Sequence, residues 1–395
     1  MLALREGNTK GKTVALTPSE HALVAEILMR GPISRRELAS RLDLSAPSLT
    51  RLSKPFLQSG AFIEIHSPDD GAGPHLGRPR KGYDINPDYG RYVGINLTHD
   101  RAHAVLTDLR GQILESADAS IENHEPEAVV EVLSALVAQL CPRPAARLFA
   151  VGISLGGQVQ SRSVVTRNPF LGWKGIPLAQ MLQERVDTLV AVENDVTALA
   201  EGAHLFGAAR AEPNFAVVTI GVGVGYGLVI NDRVVSSSDT GLGLAGHIPL
   251  ASGGPYCSQG HRGCSEALLT FSGISNQLAE WGSPRLTFAE FLESAATGDK
   301  VAEDVLFSAA SALGRLLAMV ANLTMFPRIL LSGEGTGLWT AAEPKILEEL
   351  NRYRDPDAAP VEIVLDSGGK DSWAAGAAAT AIVDSLEKLP LEPLP

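Results

Sequence analysis

Two of the chain's three cysteines fall within one glycine-rich stretch, Gly241 to Glu266 (GLGLAGHIPLASGGPYCSQGHRGCSE). With His247 they supply the donor types of a small transition-metal centre. His247, Cys257 and Cys264 are spaced so that glycine turns could fold one imidazole nitrogen and two thiolates onto a point, as a tetrahedral site requires. Such a site needs a fourth ligand. The alternative is an open loop whose thiols are free. Three cysteines cannot build a disulfide framework, and Cys141, beside Pro142 after an apolar helical pattern, reads as an inert buried thiol.

A second polar group is Glu193-Asn194-Asp195, which follows the apolar strand pattern Leu189 to Glu193 and precedes a helix pattern from Thr197 to Phe206. An Asn-Asp pair there is a natural N-cap, and its carboxylate is equally an acceptor for a ligand hydroxyl. Around these groups strand and helix patterns alternate. Tyr92–Leu97, Ala102–Leu106 and Gln112–Ala117 read as three successive strands, followed by a helix from Glu125 to Leu140 and a strand from Phe149 to Ser154. The series restarts after Phe215 with the strands 216–221 and 225–230 around a glycine-rich turn. The body is therefore expected to be α/β, with the apolar helices around Ala309–Met325 and Ser372–Leu389 serving as core or dimer surface.

The first 86 residues read differently. Thr17-Pro-Ser-Glu20 is a capping box ahead of Leu23, Val24, Ile27 and Leu28, and Gly31-Pro32 stops that helix. A second box, Ser34 to Glu37, opens a short helix carrying Leu38 and Leu42, and a third helix starts at Ser45. This is the helix-turn-helix layout. With Leu49, Leu52 and Phe56 facing inward, Ser45, Ser48, Thr50, Arg51 and Lys54 are left for a DNA major groove and its phosphates. Pro55 is expected to kink or end the helix near Lys54. The strands Phe62–Ile65 and Tyr83–Ile85 flank a polar loop ending Gly77-Arg78-Pro79-Arg80-Lys81, a wing whose Arg78, Arg80 and Lys81 suit a narrow minor groove.

The charge distribution fits that division. Residues 1–82 hold 12 basic and 8 acidic side chains, while the rest of the chain holds 21 and 37, within an overall charge of -12. A basic head on an acidic body is what a nucleic-acid-binding head needs. The N-terminal residues lack an apolar core of the signal-peptide kind, and no uninterrupted apolar run approaches the roughly 18 residues of a membrane helix. A cytoplasmic location without membrane contact is expected.

The loop 241–266 resembles the zinc and sugar loop of the ROK family (repressors, open reading frames and sugar kinases), whose pattern is Glu-x-Gly-His followed by Cys-x-Cys-Gly-x-x-Gly-Cys-x-Glu. His247, Cys257, Gly260, Gly263, Cys264 and Glu266 match; Leu244 replaces the first glutamate and Gln259 the middle cysteine. The resemblance implies a two-lobed sugar kinase/actin-like (ribonuclease H-like) body at about 90–395. Its lobes would be 90–210 with the C-terminal helix, and 215–370. Ahead of it stands a winged helix-turn-helix head at 1–86. It implies sugar contacts at Gly157, Asn194, Asp195, His247 and Glu266. Zinc at His247, Cys257 and Cys264 would be either completed by water, because glutamine is a weak zinc ligand, or absent.

Kinase members carry Asp-x-Gly-Gly-Thr after the first strand, where this chain has Asn96-Leu97-Thr98-His99-Asp100. Their Gly-Thr-Gly-x-Gly-Gly-Gly becomes Gly221-Val-Gly-Val-Gly-Tyr226-Gly227. Phosphoryl transfer rests on positioning and charge neutralisation, so two altered phosphate loops imply no ATP and no catalysis. Phe170 stands at the family's sugar-side asparagine. The implied function is a sequence-specific regulator, by expectation a repressor, that binds operator DNA as a homodimer or tetramer and answers to a sugar or sugar-like effector. An active sugar kinase carrying a regulatory head is the alternative.

Overall fold

The computed structural model describes residues 16–66, 81–142 and 148–386. The head begins with α1 (Pro18–Arg30), β1 (Ile33–Ser34), α2 (Arg35–Arg41) and α3 (Ala46–Ser59). Each helix starts at the residue whose hydroxyl can satisfy an orphan amide. Thr17 and Glu20 form a reciprocal capping box, Ser34 accepts from the Glu37 amide at 3.2 Å, and Ser45 accepts from the Ser48 amide at 3.3 Å. β2 (Phe62–His66) and β3 (Lys81–Ile85) then pair antiparallel, with β1 on the other edge of β3.

Pro55 does not end α3, which continues to Ser59 and stops at Gly60 in the left-handed conformation, φ 80°. The lost backbone bond, worth about 3 kcal/mol, is offset by what the last turn buries. Phe56 is fully enclosed and stacks on Phe62 with ring centroids 4.7 Å apart.

The body repeats one sheet plan. Its first lobe has β4 (Arg91–Leu97), β5 (Arg101–Asp108), β6 (Ile113–Ser120), α4 (Pro126–Leu140), β7 (Leu148–Leu155), the small pair β8 (Gln158–Gln160) and β9 (Val164–Arg167), α5 (Leu178–Val186), β10 (Leu189–Asn194) and α6 (Asp195–Leu205). The second lobe has β11 (Asn214–Ile220), β12 (Val224–Ile230), β13 (Arg233–Val234), α7 (Ser265–Leu269), α8 (Phe271–Glu280), α9 (Phe288–Ala296), α10 (Lys300–Thr324), β14 (Arg328–Ser332), α11 (Gly337–Arg352) and β15 (Glu362–Leu365). The sheets run β6-β5-β4-β7-β10 and β13-β12-β11-β14-β15. In both, the first strand is central, antiparallel to the second and parallel to the fourth.

The last helix, α12 (Lys370–Leu386), crosses back to the first lobe. It lies so close to β4 and β7 that a Cβ on Gly94 would sit 2.0 Å from the Ala374 carbonyl oxygen, and one on Gly152 1.8 Å from that of Ala377. Those two glycines admit the helix backbone. α10 is long and apolar enough by length and composition to cross a membrane. Its apolar residues, among them Leu313, Leu316 and Leu317, instead build the second lobe's core with α11 and β14.

Head and first lobe share one apolar core. Leu23, Leu28 and Tyr83 of the head belong to the same buried cluster as Tyr92 of β4, Ala150 of β7, Leu205 at the end of α6 and Ile382 of α12. The rest of the seam is polar and collects at the C-terminal end of α1. Arg110, in the β5–β6 turn, donates to the Leu28 carbonyl at 3.0 Å and pairs with Asp84. Arg210, between the lobes, donates to the Met29 carbonyl at 2.8 Å and to that of Gly31. Arg30 itself reaches the second lobe, with both guanidinium–carboxylate bonds to Asp232 near 3 Å (2.9 and 3.0 Å). Guanidinium groups at a helix C-terminus satisfy carbonyls that have no partner within the helix and complement its dipole.

Candidate functional site: an interlobe cleft and a Cys/His cluster

The lobes enclose a cavity of about 480 Å³ lined from both sides. On its first-lobe side, β10 ends where α6 begins, and the change of direction puts Asn194 and Asp195 at the cavity wall. Asn194 is the N-cap and also a wall residue. Its side-chain oxygen accepts from the Val196 and Thr197 amides, while its NH2 donates to the Gly157 carbonyl at 3.1 Å and to Asp195 at 3.0 Å. The N-cap reading of this pair is thereby met, and the Asp195 carboxylate stands at the cavity wall. Burial pushes the Asp195 carboxyl up to about 6, against the pull of the Val196 amide and with help from the negative charge of Glu334. Gly157 faces the same cavity at φ 119°, where a Cβ would stand 2.3 Å from the Arg167 carbonyl oxygen.

The two glycine-loop positions flank the other end. After β4, the amide of Thr98 is used by the Arg101 carbonyl at 2.8 Å and its hydroxyl by Asp100 at 3.1 Å. His99 donates from Nδ1 to the Phe170 carbonyl at 2.8 Å, and His124 donates to the His99 carbonyl at 2.8 Å. The turn is thus closed on itself, with a carboxylate where phosphate oxygens would need donors. After β11 the Gly221 carbonyl accepts from the Phe271 amide at 2.9 Å, and the Glu334 carboxylate stands 2.5 Å from the point a Gly221 Cβ would occupy. Val222 and Tyr226 also face this end.

His247 and Glu266 are not on the cavity wall among the described residues. They lie behind Leu244 and Ala245, which are, in a compact knot with the cysteines. The chain reverses at Cys257-Ser-Gln-Gly260, closed by the Gly260 amide on the Cys257 carbonyl at 3.0 Å, and this returns His261 beside Cys257. Cys257 Sγ lies 3.8 Å from His247 Nδ1 and 3.6 Å from His261 Nδ1, and the donor atoms of His247, Cys257, His261 and Cys264 all fall within 4.8 Å of one another. A nitrogen and a sulfur on one tetrahedral zinc would be separated by about 3.5 Å, so this donor set fits a four-coordinate metal. The fourth donor is His261. Gln259, the position the sequence pattern pointed to, is exposed on the outside of the turn and is not one of the four. Glu266 braces the knot, accepting from the Ser258 amide at 3.0 Å and standing 3.6 Å from His247.

In the head, Ser45, Thr50, Arg51 and Lys54 lie exposed on α3, and Ser48 is half-buried against Ser45. Thr50 already accepts from Arg35, which also stacks on Tyr83. Lys81 opens β3 and pairs with Glu64 at 2.5 Å. The wing loop with Arg78 and Arg80 lies outside the described residues. Sequence reasoning missed His261, Glu334 and His99. For His261 a signal was present, since a histidine four residues from Cys257 across a glycine turn can return to it. Glu334 comes from a loop more than a hundred residues from Gly221, and no local spacing marks it.

These features agree with comparisons to known proteins. Residues 92–383 match the ROK family profile. The xylose repressor of Bacillus subtilis (strain 168) is 29% identical over 252 residues, 63% of this chain and 64% of that protein, so the match spans just under two thirds of the relative's length. The DNA-binding transcriptional repressor Mlc of Escherichia coli K12 is 25% identical over 331 residues, 79% of each chain. A crystal structure of a ROK family transcriptional regulator, a homologue of the E. coli MLC protein, shares the fold at a TM-score of 0.78 with 23% identity, covering 94% of this chain and 99% of that one. A ROK family glucokinase from Streptomyces griseus, in complex with glucose and AMPPNP, gives 0.62 with 25% identity over 74% of this chain and 99% of its own. With the profile spanning β4 to α12, both lobes included, the chain belongs to the ROK family.

Proposed function

We propose that this protein is a sequence-specific transcriptional regulator that binds double-stranded operator DNA as a homodimer through its helix-turn-helix head, senses a sugar-like effector in the interlobe cleft and has no kinase activity. The observation that carries this reading is the pairing of an exposed polar and basic α3 face with a cleft that keeps Asn194 and Asp195 while presenting carboxylates at both phosphate-facing turns. Arg51 and Lys54 would meet phosphates, and Ser45, Ser48 and Thr50 base edges or backbone. Arg78, Arg80 and Lys81 would reach the minor groove. Two heads are needed because one buries too little surface and charge for tight specific binding. The B. subtilis relative carries the name xylose repressor and the E. coli relative is a DNA-binding repressor, which supports regulation by repression.

The fold offers a route between the two functions. α6 starts at the cleft with Asp195 and ends at Leu205, in the core shared with the head. Its 11 residues span about 16 Å at the usual rise. A displacement of Asp195 on ligand binding is passed along a rigid rod to the seam at α1, a coupling of about 1–3 kcal/mol in systems of this kind. Gly157, Asn194 and Asp195 would hold the effector's hydroxyls, and His247 and Glu266 would support that wall from behind. Zinc suits two thiolates and two imidazoles, and at His247, Cys257, His261 and Cys264 it would cross-link the loop that carries Leu244.

The test is a gel-shift assay of the full chain against the DNA upstream of neighbouring genes at low salt. A discrete complex with one site is expected, weakened roughly evenly across sequences by Arg51→Ala; no complex with any fragment would sink the regulator reading. Asp195 also favours a second reading, a sugar kinase, which Asp195-dependent phosphorylation of a sugar would establish.

A further inference from the structure

The cleft's wall carries information about its ligand beyond the presence of Asp195. Four of its members, Asp100, Asp195, Asp239 and Glu334, are acidic, and among the described residues lining it there is neither lysine nor arginine. A phosphate group needs converging N–H donors or guanidinium and ammonium groups. Here the hairpin amide at Thr98 is already used, and the turn at Gly221 is faced by Glu334.

The same wall is unusually apolar for an exposed surface. Phe170, Val222, Tyr226 and Leu244 are 49%, 65%, 40% and 61% exposed, and all four face this one cavity. Large apolar groups left open on a concave wall mark a ligand that buries them. They are also placed at different ends. Phe170 lies over Gly156, 3.0 Å from where its Cβ would be, beside the Asp195 carboxylate, while Val222 and Tyr226 belong to the second-lobe turn and strand. A cavity of about 480 Å³ lined by both groups is roomy enough for more than a single sugar ring.

Resting on the regulator reading above, we propose that the effector is an unphosphorylated, uncharged glycoside or oligosaccharide that spans the cleft. Its hydroxyl-bearing ring sits on Asn194, Asp195 and the Phe170 face, and a further apolar-faced unit reaches Val222 and Tyr226. Asp100 and Glu334 are the residues that reject anionic ligands. They raise the cost of a phosphate by like-charge repulsion within a partly desolvated cleft, where screening is weak.

The experiment is isothermal titration of the full chain with matched sets, each comprising a monosaccharide, its disaccharide, its aryl glycoside and its 6-phosphate. The disaccharide or aryl glycoside is expected to bind at least tenfold more tightly than the parent monosaccharide, and the 6-phosphate at least tenfold more weakly. In Tyr226→Ala the advantage of the larger ligand shrinks toward parity. In the double variant Asp100→Asn, Glu334→Gln the discrimination against phosphate shrinks in the same way. Circular dichroism and retained operator binding serve to show that each variant is folded. A 6-phosphate that binds as well as its parent, a monosaccharide that matches its glycoside, or no binding by any member of the sets overturns the proposal. Failure of DNA binding in the gel-shift assay, by contrast, overturns only the regulator reading.

Discussion

The two lobes share a strand order but hold their sides of the cleft by different means. The first-lobe wall is set by regular structure: β10 runs into α6, Asn194 caps the turn, and α12 lies flush on β4 and β7 behind it. The second-lobe wall combines the β11–β12 turn, with Val222 and Tyr226, and Glu334 with an irregular stretch between β13 and α7, behind which lies the knot of His247, Cys257, His261 and Cys264. One wall rests on a capped helix start backed by a flush helix, while the other takes part of its surface from an irregular loop backed by a four-donor cluster. The difference teaches that the same duplicated sheet can offer a wall of regular structure on one side and a partly irregular one on the other, which a metal at the proposed cluster would stiffen.

Removing the cluster should have the largest effect. Cys264→Ser, whose side chain is buried in the knot, is expected to abolish stoichiometric metal in elemental analysis and to lower the thermal midpoint by several degrees. His261→Ala should weaken metal binding by about 10–100-fold or more, whereas Gln259→Ala should leave it unchanged. Equal loss with Gln259→Ala and none with His261→Ala would show that the knot is not the centre of that wall.

The first-lobe wall is tested next by Asp195→Ala, expected to cost about 100-fold in effector affinity, since hydrogen bonds to a charged group contribute about 1.5–3 kcal/mol each. The wild-type pH profile sharpens the point. With its carboxyl pushed up to about 6, Asp195 gains a proton as the pH falls through that value. A ligand whose hydroxyls donate to the ionised form should bind more tightly as the pH rises from 5 to 7, by up to about tenfold per unit below 6. The slope should vanish in Asp195→Asn; a slope that persists would remove Asp195 from the ligand contacts.

The smallest effect is expected at the seam. Arg210→Ala removes the donors to two carbonyls at the end of α1, and a loss of about 1–2 kcal/mol is anticipated in the stability of the head, read by hydrogen exchange at Leu23 to Leu28. The same variant should reduce the effector's influence on operator binding while leaving the effector's own affinity nearly intact. If the influence is undiminished, the seam does not carry the signal.

What could be read from the sequence follows from the range of each interaction. Caps act over three residues, so Thr17, Ser34, Ser45 and Asn194 marked their helices in advance, and the alternation of the body revealed its repeated sheets. Pro55 misled because its local cost is real but is overruled by Phe56 meeting Phe62, a contact that spacing alone does not show. The Cys/His knot was legible for three donors. The expectation of a three-ligand site completed by water, or of none, came from matching residues one by one and finding Gln259 at the family's middle cysteine, whereas the turn at Gly260 brings His261 back beside Cys257. Least legible were contacts between distant segments: Glu334 over Gly221, Arg210 on α1, and the merging of the head's core with that of the first lobe.

That merging has a consequence for how the molecule can move. Leu23, Leu28 and Tyr83 share one buried cluster with Tyr92, Leu205 and Ile382 as well as with Phe56 and Phe62 of the head, so detaching the head from the first lobe would wet a continuous greasy surface. Toward the second lobe the head presents a half-buried ion pair, Arg30 and Asp232, whose two charges water can take up when they part. Were the clamshell to shut or gape, the slip plane would therefore run through that ion pair, and α3, the helix proposed to meet DNA, would travel as cargo bolted to the first lobe.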